Sequence, residues 1–469
     1  MKNAGKMILL LTLSFGLQTF SFSQEKITLT LEECIRLALL QNPFYEAEKA
    51  KEEQASYYVR EAISRFLPSL NAQGMDVLDK KAFSLGLPSL FPGQLPQKIK
   101  LDLTRTYQLS LSFSVPLFTG GRLTSGYKQA NYSLMSTQEA IRQARQETVF
   151  KVKKAFYGIL LTKKLADAAE EAVSLAEKHL KNVESLYAVE MASKFDLLRS
   201  EVQLANLKPQ LIRATNGLKT AELGLKVVLG LDLNQPVEVK GELSYQAFEA
   251  NLDDNVARAL ASRPEILQFQ YQKLMAAEMI KTAKAAYLPV VAVGGVFHYW
   301  SDQFNFKKDS WESYYSINLI LNIPIFNGFA EAAKVGQSRA VLKQLEYNQK
   351  GLLEMVKLEV HESILSLQQA RESLLSQEKN VEQAQEAVKI AELSFTEGLA
   401  TDLDVSSLHV ALSQARTNYS QAIYDYVMAL ALLEKAIGTG PDIPKDNEKI
   451  YKEKTDEMSA RRLAPFIFM

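Results

Sequence analysis

YQLSLSFSVPLFTGGRL, residues 107–123, decides the fold. Tyr107, Leu109, Leu111, Phe113, Val115 and Leu117 alternate with Gln108, Ser110, Ser112, Ser114 and Pro116. Strict alternation of this length predicts a strand with one apolar face. It also matches the roughly 9–11 residues that a strand needs to cross a bilayer. Thr119-Gly120-Gly121 then turns the chain into a helical pattern. The same events recur 208 residues on: Val115, Pro116, Leu117, Phe118 and Gly120 return as Ile323, Pro324, Ile325, Phe326 and Gly328. Ser193–Leu197 returns as Thr401–Val405, and Val228-Leu229-Gly230 as Ala436-Ile437-Gly438. A repeat of this length is two copies of one structural unit.

The upstream parts repeat at a different offset. Asn42-Pro43 answers to Arg263-Pro264, and Pro68 to Pro289, each 221 residues apart. The first unit therefore carries 13 extra residues between Pro68 and Pro116, in a loop holding Pro88, Pro92 and Pro96. Such insertions are tolerated at exposed loop tips.

The pattern predicts a first repeat over 24–240, with strands over about 69–77 and 107–117 and long helices over about 123–187 and 194–229. The second repeat spans 250–438, with strands over about 289–300 and 314–326 and helices over about 328–397 and 402–437. At 1.5 Å per residue the longest helices reach on the order of 100 Å, too long for an ordinary compact domain. Their far ends carry coiled-coil seams: Val173, Ala176, Leu180, Val183 and Tyr187, then Val381, Ala384, Val388, Ala391 and Phe395. Pro209 bends or breaks the first returning helix.

The 469 residues are 47% apolar and 23% charged, which excludes disordered and collagen-like classes. Basic and acidic residues balance at 54 each, so no charge field invites nucleic acid. Residues 1–23 read as a signal peptide: Lys2 and Lys6, the apolar run Met7–Leu17, then Ser21-Phe22-Ser23 before a cut at Gln24. The remainder contains no apolar run long enough for a transmembrane helix. Cys34, the single cysteine, reads as a small buried helix residue. A polar tail, 439–469, ends in apolar Pro465-Phe466-Ile467-Phe468; wrapping an outer surface and disorder are both open for it.

Four alternating strands form an open sheet, which a bilayer does not tolerate because every backbone group must be paired there. The smallest membrane barrels have about eight strands, so at least two chains must share one barrel. Tyr107, Tyr299, Trp300, Trp311, Tyr314 and Tyr315 gather toward the loop ends of the hairpins, as an aromatic belt at a membrane interface would.

On these residues the chain resembles the TolC-type outer-membrane efflux proteins. The resemblance rests on the duplicated strand ends VPLFTGGRL (115–123) and IPIFNGFAE (323–331). It rests also on the junctions FLPSLNAQG and YLPVVAVGG, and on the helix hairpins YAVEMASKFDL (187–197) and FTEGLATDLDV (395–405). It spans roughly 27–438, and the order of the motifs is more specific than any one of them.

The resemblance implies a mainly α chain with a membrane β-barrel part. Four strands per chain would close a 12-stranded barrel in a homotrimer. A long α-helical tunnel would cross the periplasm. Implied partners are outer-membrane lipid, a periplasmic adaptor and an inner-membrane pump of RND or ABC type. Neither nucleic acid nor a cofactor is implied. Junction residues would be Pro68 and Pro289 where helix becomes strand, and Pro116, Gly120, Gly121, Pro324 and Gly328 where strand becomes helix.

The hairpin tips would form the inner entrance: Tyr187, Glu190 and Ser193 in one repeat, Phe395, Gly398 and Thr401 in the other. Ser193/Asp196 and Thr401/Asp404 have capping-box spacing. The resemblance puts Asp404 on the entrance constriction, where three copies would favour cations; a cap alone is the other reading. Asp196 reads as a cap or an inter-helix hydrogen-bond partner. The chain departs from the family at Ser407, where a second acidic residue is common, at Ala400, where a basic residue is common, and at Glu190, where a turn glycine is expected.

His179, His298, His361 and His409 are scattered, and no enzyme motif stands out. The function that the resemblance implies is a passive exit duct for small molecules. A duct for type I protein secretion is the alternative within transport. A periplasmic coiled-coil structural or adaptor protein with a soluble β-domain is the alternative of another class, which extraction from membranes by salt or alkali would separate.

Overall fold

The computed structural model describes residues 27–78, 83–86, 98–101, 106–305 and 307–439. The expected signal peptide, the three loop prolines and residues 440–469 of the tail lie outside them. In chain order the elements are β1 (Ile27–Leu29), α1 (Leu31–Gln41), α2 (Pro43–Ser64), β2 (Ser69–Asp76), β3 (Phe83–Gly86) and β4 (Lys98–Leu101). Then come β5 (Tyr107–Phe118), α3 (Arg122–Ala188), α4 (Lys194–Leu229), β6 (Val237–Val239), α5 (Leu252–Ser262) and α6 (Pro264–Ala285). The chain finishes with β7 (Val290–Ser301), β8 (Glu312–Asn322), α7 (Ala330–Thr396) and α8 (Asp402–Ile437). None of the described helices is long and apolar enough to cross a membrane.

Four strands form one antiparallel sheet in the order β2-β5-β7-β8. The repeats meet at its centre, where β5 pairs β7 with Leu111 opposite Phe297. Ladder register shifts between Pro116 and Phe118, where the missing proline N–H makes a bulge the natural outcome. The second repeat differs. The alternation predicts a strand to residue 326, but β8 stops at Asn322. Pro324 cannot donate to a ladder, and the pairing recorded for β8 ends at Asn322 against Val290. Within the chain, β2 and β8 are edges.

Each repeat builds its own core beside the long helices. In the first, Cys34, Ile35, Ala38 and Leu39 of α1 pack on Val152, Phe156 and Ile159 of α3 and on Leu225 and Leu229 of α4. Burial pushes the Cys34 thiol up to about 12, so it stays protonated. In the second, Ala259 of α5 and Ile266 of α6 pack with Val356 and Val360 of α7 and with Tyr426 and Leu433 of α8. Helix α4 runs through Pro209 without interruption.

The same cap position is solved twice by different chemistry. Asn42 caps α2, its Oδ1 accepting from the Phe44 and Tyr45 N–H groups at 2.8 and 3.1 Å. Its Nδ2 donates to the Val228 carbonyl at 2.7 Å. Arg263 stands there in the second repeat, makes no side-chain cap, and instead pairs with Glu359 at 2.6 Å.

Two pairings were not anticipated. β1 and β6 lie parallel, Ile27 to Val237 through Leu29 to Val239, tying the start of the first repeat to its end. The extra loop forms its own antiparallel pair, Phe83–Gly86 with Lys98–Leu101. The halves are joined along α3, where Gln129 donates to Thr282 at 2.7 Å and Gln146 to the Gly438 carbonyl at 2.9 Å. Ion pairs Lys153–Glu434, Lys435–Glu147 and Arg416–Glu171 continue the seam.

Candidate functional site

Each 67-residue helix, α3 and α7, ends in a tight turn that starts its partner. At the first tip the Met191 N–H donates to the Leu186 carbonyl at 2.8 Å and the Glu190 N–H to Tyr187 at 3.0 Å. At the second the Leu399 N–H donates to Ser394 at 2.8 Å and the Gly398 N–H to Phe395 at 3.1 Å. Both patterns close the helix with a left-handed residue, Glu190 and Gly398.

The returning helices open with reciprocal caps. The Ser193 N–H and hydroxyl donate to Asp196 Oδ2 at 3.1 and 2.5 Å, and the Asp196 N–H returns to Ser193 Oγ at 3.2 Å. The Thr401 N–H and hydroxyl donate to Asp404 Oδ2 at 2.8 and 2.6 Å, with the Asp404 N–H returned at 3.3 Å. Hydrogen bonds from Thr401, its hydroxyl first and its N–H second, hold the Asp404 carboxyl below the usual carboxylate range. The Ser193 hydroxyl does the same to Asp196. Both tips therefore present ionised caps, Asp404 exposed and Asp196 half-buried. Ser407 donates to the Asp404 carbonyl at 2.9 Å, folded back on its own helix. Lys194 sits 5.6 Å from the centre of the Tyr187 ring.

Behind the tips lies a polar cluster that sequence reading missed. His179 of α3, expected one residue off the apolar seam at Leu180, is buried with Val173, Ala176 and Val183. Its Nε2 bonds Asp402 Oδ1, the first helical residue of α8. The Ser200 hydroxyl of α4 donates to the same oxygen at 3.5 Å. His409 of α8 stands with its ring centre 6.2 Å from that of His179, and Phe395 of α7 at 5.8 Å. His409 Nε2 bonds Glu392 Oε1 of α7 at 2.8 Å. Two of the four scattered histidines thus meet. The available hint was one polar residue beside an otherwise apolar seam.

At the other end of the long helices, Gly120 and Gly121 turn β5 into α3 at φ 63° and 84°. A Cβ on Gly120 would come within 2.7 Å of Leu288 Cβ, so this turn needs glycine for its conformation and for its contact. Gly328 and Phe329 make the matching turn at φ 61° and 62°, and nothing in the chain lies within 4 Å of a Cβ on Gly328. Pro68 and Pro289 stand immediately before the first sheet strand of each repeat.

The aromatic residues do cluster. Tyr299 and Trp311 stack at 4.8 Å, Trp300 meets Tyr314 at 5.2 Å, and Tyr107 meets Phe304 at 5.3 Å. Trp300 Nε1 donates to Glu312 at 3.0 Å, and Trp311 Nε1 to the Asn305 carbonyl at 2.6 Å. Apolar body and bonded polar edge suit an interface between oil and water. Tyr315 is exposed on β8.

The family profile described as "Outer membrane efflux protein" matches residues 34–231 and 255–439. The "Outer membrane protein TolC" of Vibrio cholerae is 22% identical over 367 residues, covering 74% of this chain and 82% of that protein. The "Alkaline protease secretion protein AprF" of Pseudomonas aeruginosa is 21% identical over 437 residues, covering 90% of this chain and 87% of that one. Among solved structures, the Campylobacter jejuni CmeC outer membrane channel superposes with a TM-score of 0.71 at 17% identity, covering 90% of this chain and 88% of that one.

Proposed function

The chain belongs to the outer membrane efflux protein family, and from that premise we propose that three copies form one passive exit duct. It is an outer-membrane protein of mainly α architecture with a β-barrel part. In the proposed duct, β2, β5, β7 and β8 of three chains close 12 strands in the membrane. The paired long helices form a tunnel through the periplasm, ending at the tips that carry Asp196 and Asp404. A periplasmic adaptor and an inner-membrane pump of RND or ABC type would deliver small molecules to that entrance. Outer-membrane lipid would meet the apolar faces of the strands, among them Leu319, which is 70% exposed in the single chain.

One observation carries the shared barrel. Inside the chain, β5 of the first repeat pairs β7 of the second, and Gly120 packs on Leu288. The repeat-equivalent partners, β8 with β2 and Gly328 with Leu67, do not meet in the chain. Gly328 faces open space and Leu67 is exposed. A neighbouring copy placed head to tail supplies both missing partners and removes the two sheet edges. Equivalence with Ser114 opposite Gly294 sets Asn322 of one copy opposite Gln73 of the next.

The test is the native mass of the protein in detergent together with a Gln73→Cys/Asn322→Cys pair. A mass of three chains, with oxidation linking chains covalently, supports the duct. A water-soluble monomer that does not cross-link removes it. Cys34 is buried and does not compete.

A second reading, an exit duct for a secreted protein, is favoured by the likeness to the relative named for alkaline protease secretion, which spans most of both chains. Cargo choice would then lie with the pump, and the entrance geometry serves both readings.

A further inference from the structure

We infer that His298, Trp300 and Tyr314 form a solute-binding patch on the inner wall of the barrel, near its loop end, and that the patch takes flat aromatic cations. The inference rests on the duct reading for this wall to be an inner one; the ring cluster itself is a property of the chain.

The ladder register decides which side chains share a face of the sheet. Residues directly opposite on paired strands lie on one face, and neighbours along a strand alternate. One rung across all four strands reads Ala72, Leu111, Phe297 and Tyr315. The next rung, on the other face, reads Gln73, Ser110, His298 and Tyr314. Two further rungs share that second face: Asn71, Ser112, Val296 and Ser316, then Ser69, Ser114, Gly294 and Asn318. The second face is therefore the polar one, and a barrel in lipid turns its polar face to the lumen. The aromatic residues at the hairpin ends divide between the two. Tyr107, Tyr299 and Tyr315 fall on the apolar face, where an interface belt belongs. Trp300 and Tyr314 fall on the polar face with His298, where no lipid reaches them.

Tyr314 links the three rings. Its ring centre stands 4.8 Å from that of His298, the planes 28° apart, and 5.2 Å from that of Trp300, the planes 62° apart. Tyr314 remains 49% exposed, so part of the cluster stays open to a visitor. Trp300 Nε1 donates to Glu312 at 3.0 Å, directly across the ladder, which holds the indole and sets a carboxylate beside it. Ring faces carry negative potential and attract cations, tryptophan most strongly. Flat ring systems add stacking area. The carboxylate contributes charge of the same sign as the ring faces, so a flat cation is favoured over a flat anion. Contacts of this kind are individually modest at exposed sites, which suits a wall that solutes must leave again.

The first repeat lacks the patch. Thr106 stands where Tyr314 would recur and Val77 where His298 would. The backbone is nevertheless alike, with the Val77 N–H donating to the Thr106 carbonyl at 2.8 Å. A ring of three chains would therefore carry three patches, each separated from the next by a bare hairpin. Twelve strands about 4.8 Å apart and tilted about 40° give a backbone diameter of roughly 24 Å. A small solute near the wall would meet one patch at a time.

The test uses the full-length protein in planar lipid bilayers. Ethidium serves as the flat aromatic cation and tetrabutylammonium as a cation without rings. Wild type is compared with Trp300→Thr, Tyr314→Thr and, on the apolar face, Tyr299→Thr. Threonine suits a strand and is what the first repeat carries in place of Tyr314. Ethidium is expected to block wild type and Tyr299→Thr at concentrations about three- to tenfold lower than it blocks Trp300→Thr or Tyr314→Thr. All four should respond alike to tetrabutylammonium. Equal ethidium block in wild type and both polar-face variants overturns the patch, as does an equal weakening in Tyr299→Thr. Absence of channels from every protein would count against the duct, and the patch is then decided in detergent. There Trp311→Phe leaves Trp300 as the only one of the chain's 2 tryptophans. Its emission should be quenched by ethidium, and adding Tyr314→Thr should raise the concentration required about three- to tenfold. Emission indifferent to ethidium, or a titration unmoved by Tyr314→Thr, overturns the patch whether or not channels form.

Discussion

Glu190 and Gly398 hold the same left-handed backbone, at φ 61° and 76°, in the turns of the two helix hairpins. The repeat offset superposes them. One turn meets the requirement with the residue suited to it, and the other with a residue whose Cβ resists it. The first tip therefore stores backbone strain that the second does not.

Glu190→Gly should stabilise the first hairpin by about 0.5–1 kcal/mol, the strain relieved less the entropy that glycine adds to the unfolded chain. Gly398→Ala should destabilise the second by about 1 kcal/mol. Hydrogen exchange of the amides at 187–193 and 395–401 reads the two effects separately. Equal and opposite behaviour of the tips is expected; no change at Glu190 would mean that its turn relaxes in solution.

Gly230 ends α4 at φ 74°, and a Cβ there would collide with the Gln41 carbonyl at the α1–α2 junction. Gly438 ends α8 at φ 80°, but its nearest neighbour would be Ser262 Oγ at 3.1 Å. Gly230→Ala should cost about 2–4 kcal/mol from conformation and overpacking together. Gly438→Ala should cost nearer the conformational part, about 1–2 kcal/mol. Thermal or denaturant unfolding in detergent gives the order, and a reversed order would show that the first junction yields easily.

Leu111 and Leu319 are exposed in the single chain at mid-strand. An arginine at the bilayer midplane costs about 2–4 kcal/mol per site. Leu111→Arg and Leu319→Arg should therefore each abolish the detergent-stable assembly while leaving the α-helical circular dichroism in place. Normal assembly of both variants would turn these strands away from lipid.

Asp404 serves as cap and as charge, and the two roles separate by substitution. Asp404→Asn keeps an acceptor for Thr401 and removes the charge; Asp404→Ala removes both. Both should lower cation over anion permeability in bilayers, roughly twofold or more, whereas Asp404→Ala alone should fray the start of α8. Its folded carboxyl lies below the ordinary range, so its contribution is complete above the usual carboxylate pKa and is lost as pH falls through the lowered value. Protection of the α8 N-terminus should hold through mild acid and fade only in strong acid. Unchanged selectivity in both variants would leave Asp404 a cap alone.

The architecture was legible because its signals are local and doubled. Alternation over 107–117, the glycine turns and the S/T-x-x-D caps each follow from a few neighbouring residues, and finding each twice excluded coincidence. What was not legible depends on pairing across the chain. β1 and β6 are three residues each and have no measurable period. The end of β8 was misjudged because the apolar alternation continues past Pro324 although the ladder does not. His179 and Asp402 lie 223 residues apart, and only the packing of α3 on α8 brings them together. At the candidate entrance, the caps were readable and the buried cluster behind them was not.

The fusion of two unlike halves also sets how this molecule can change by mutation. A ring of six identical half-chains would receive every substitution six times, so a change tolerable at one tip would be imposed on all. In the proposed three-chain ring each substitution arrives three times, at alternate positions. One set of tips can then differ, as Glu190 differs from Gly398, without any change in the other. Duplication followed by fusion thus allows one half to be revised while the other remains functional.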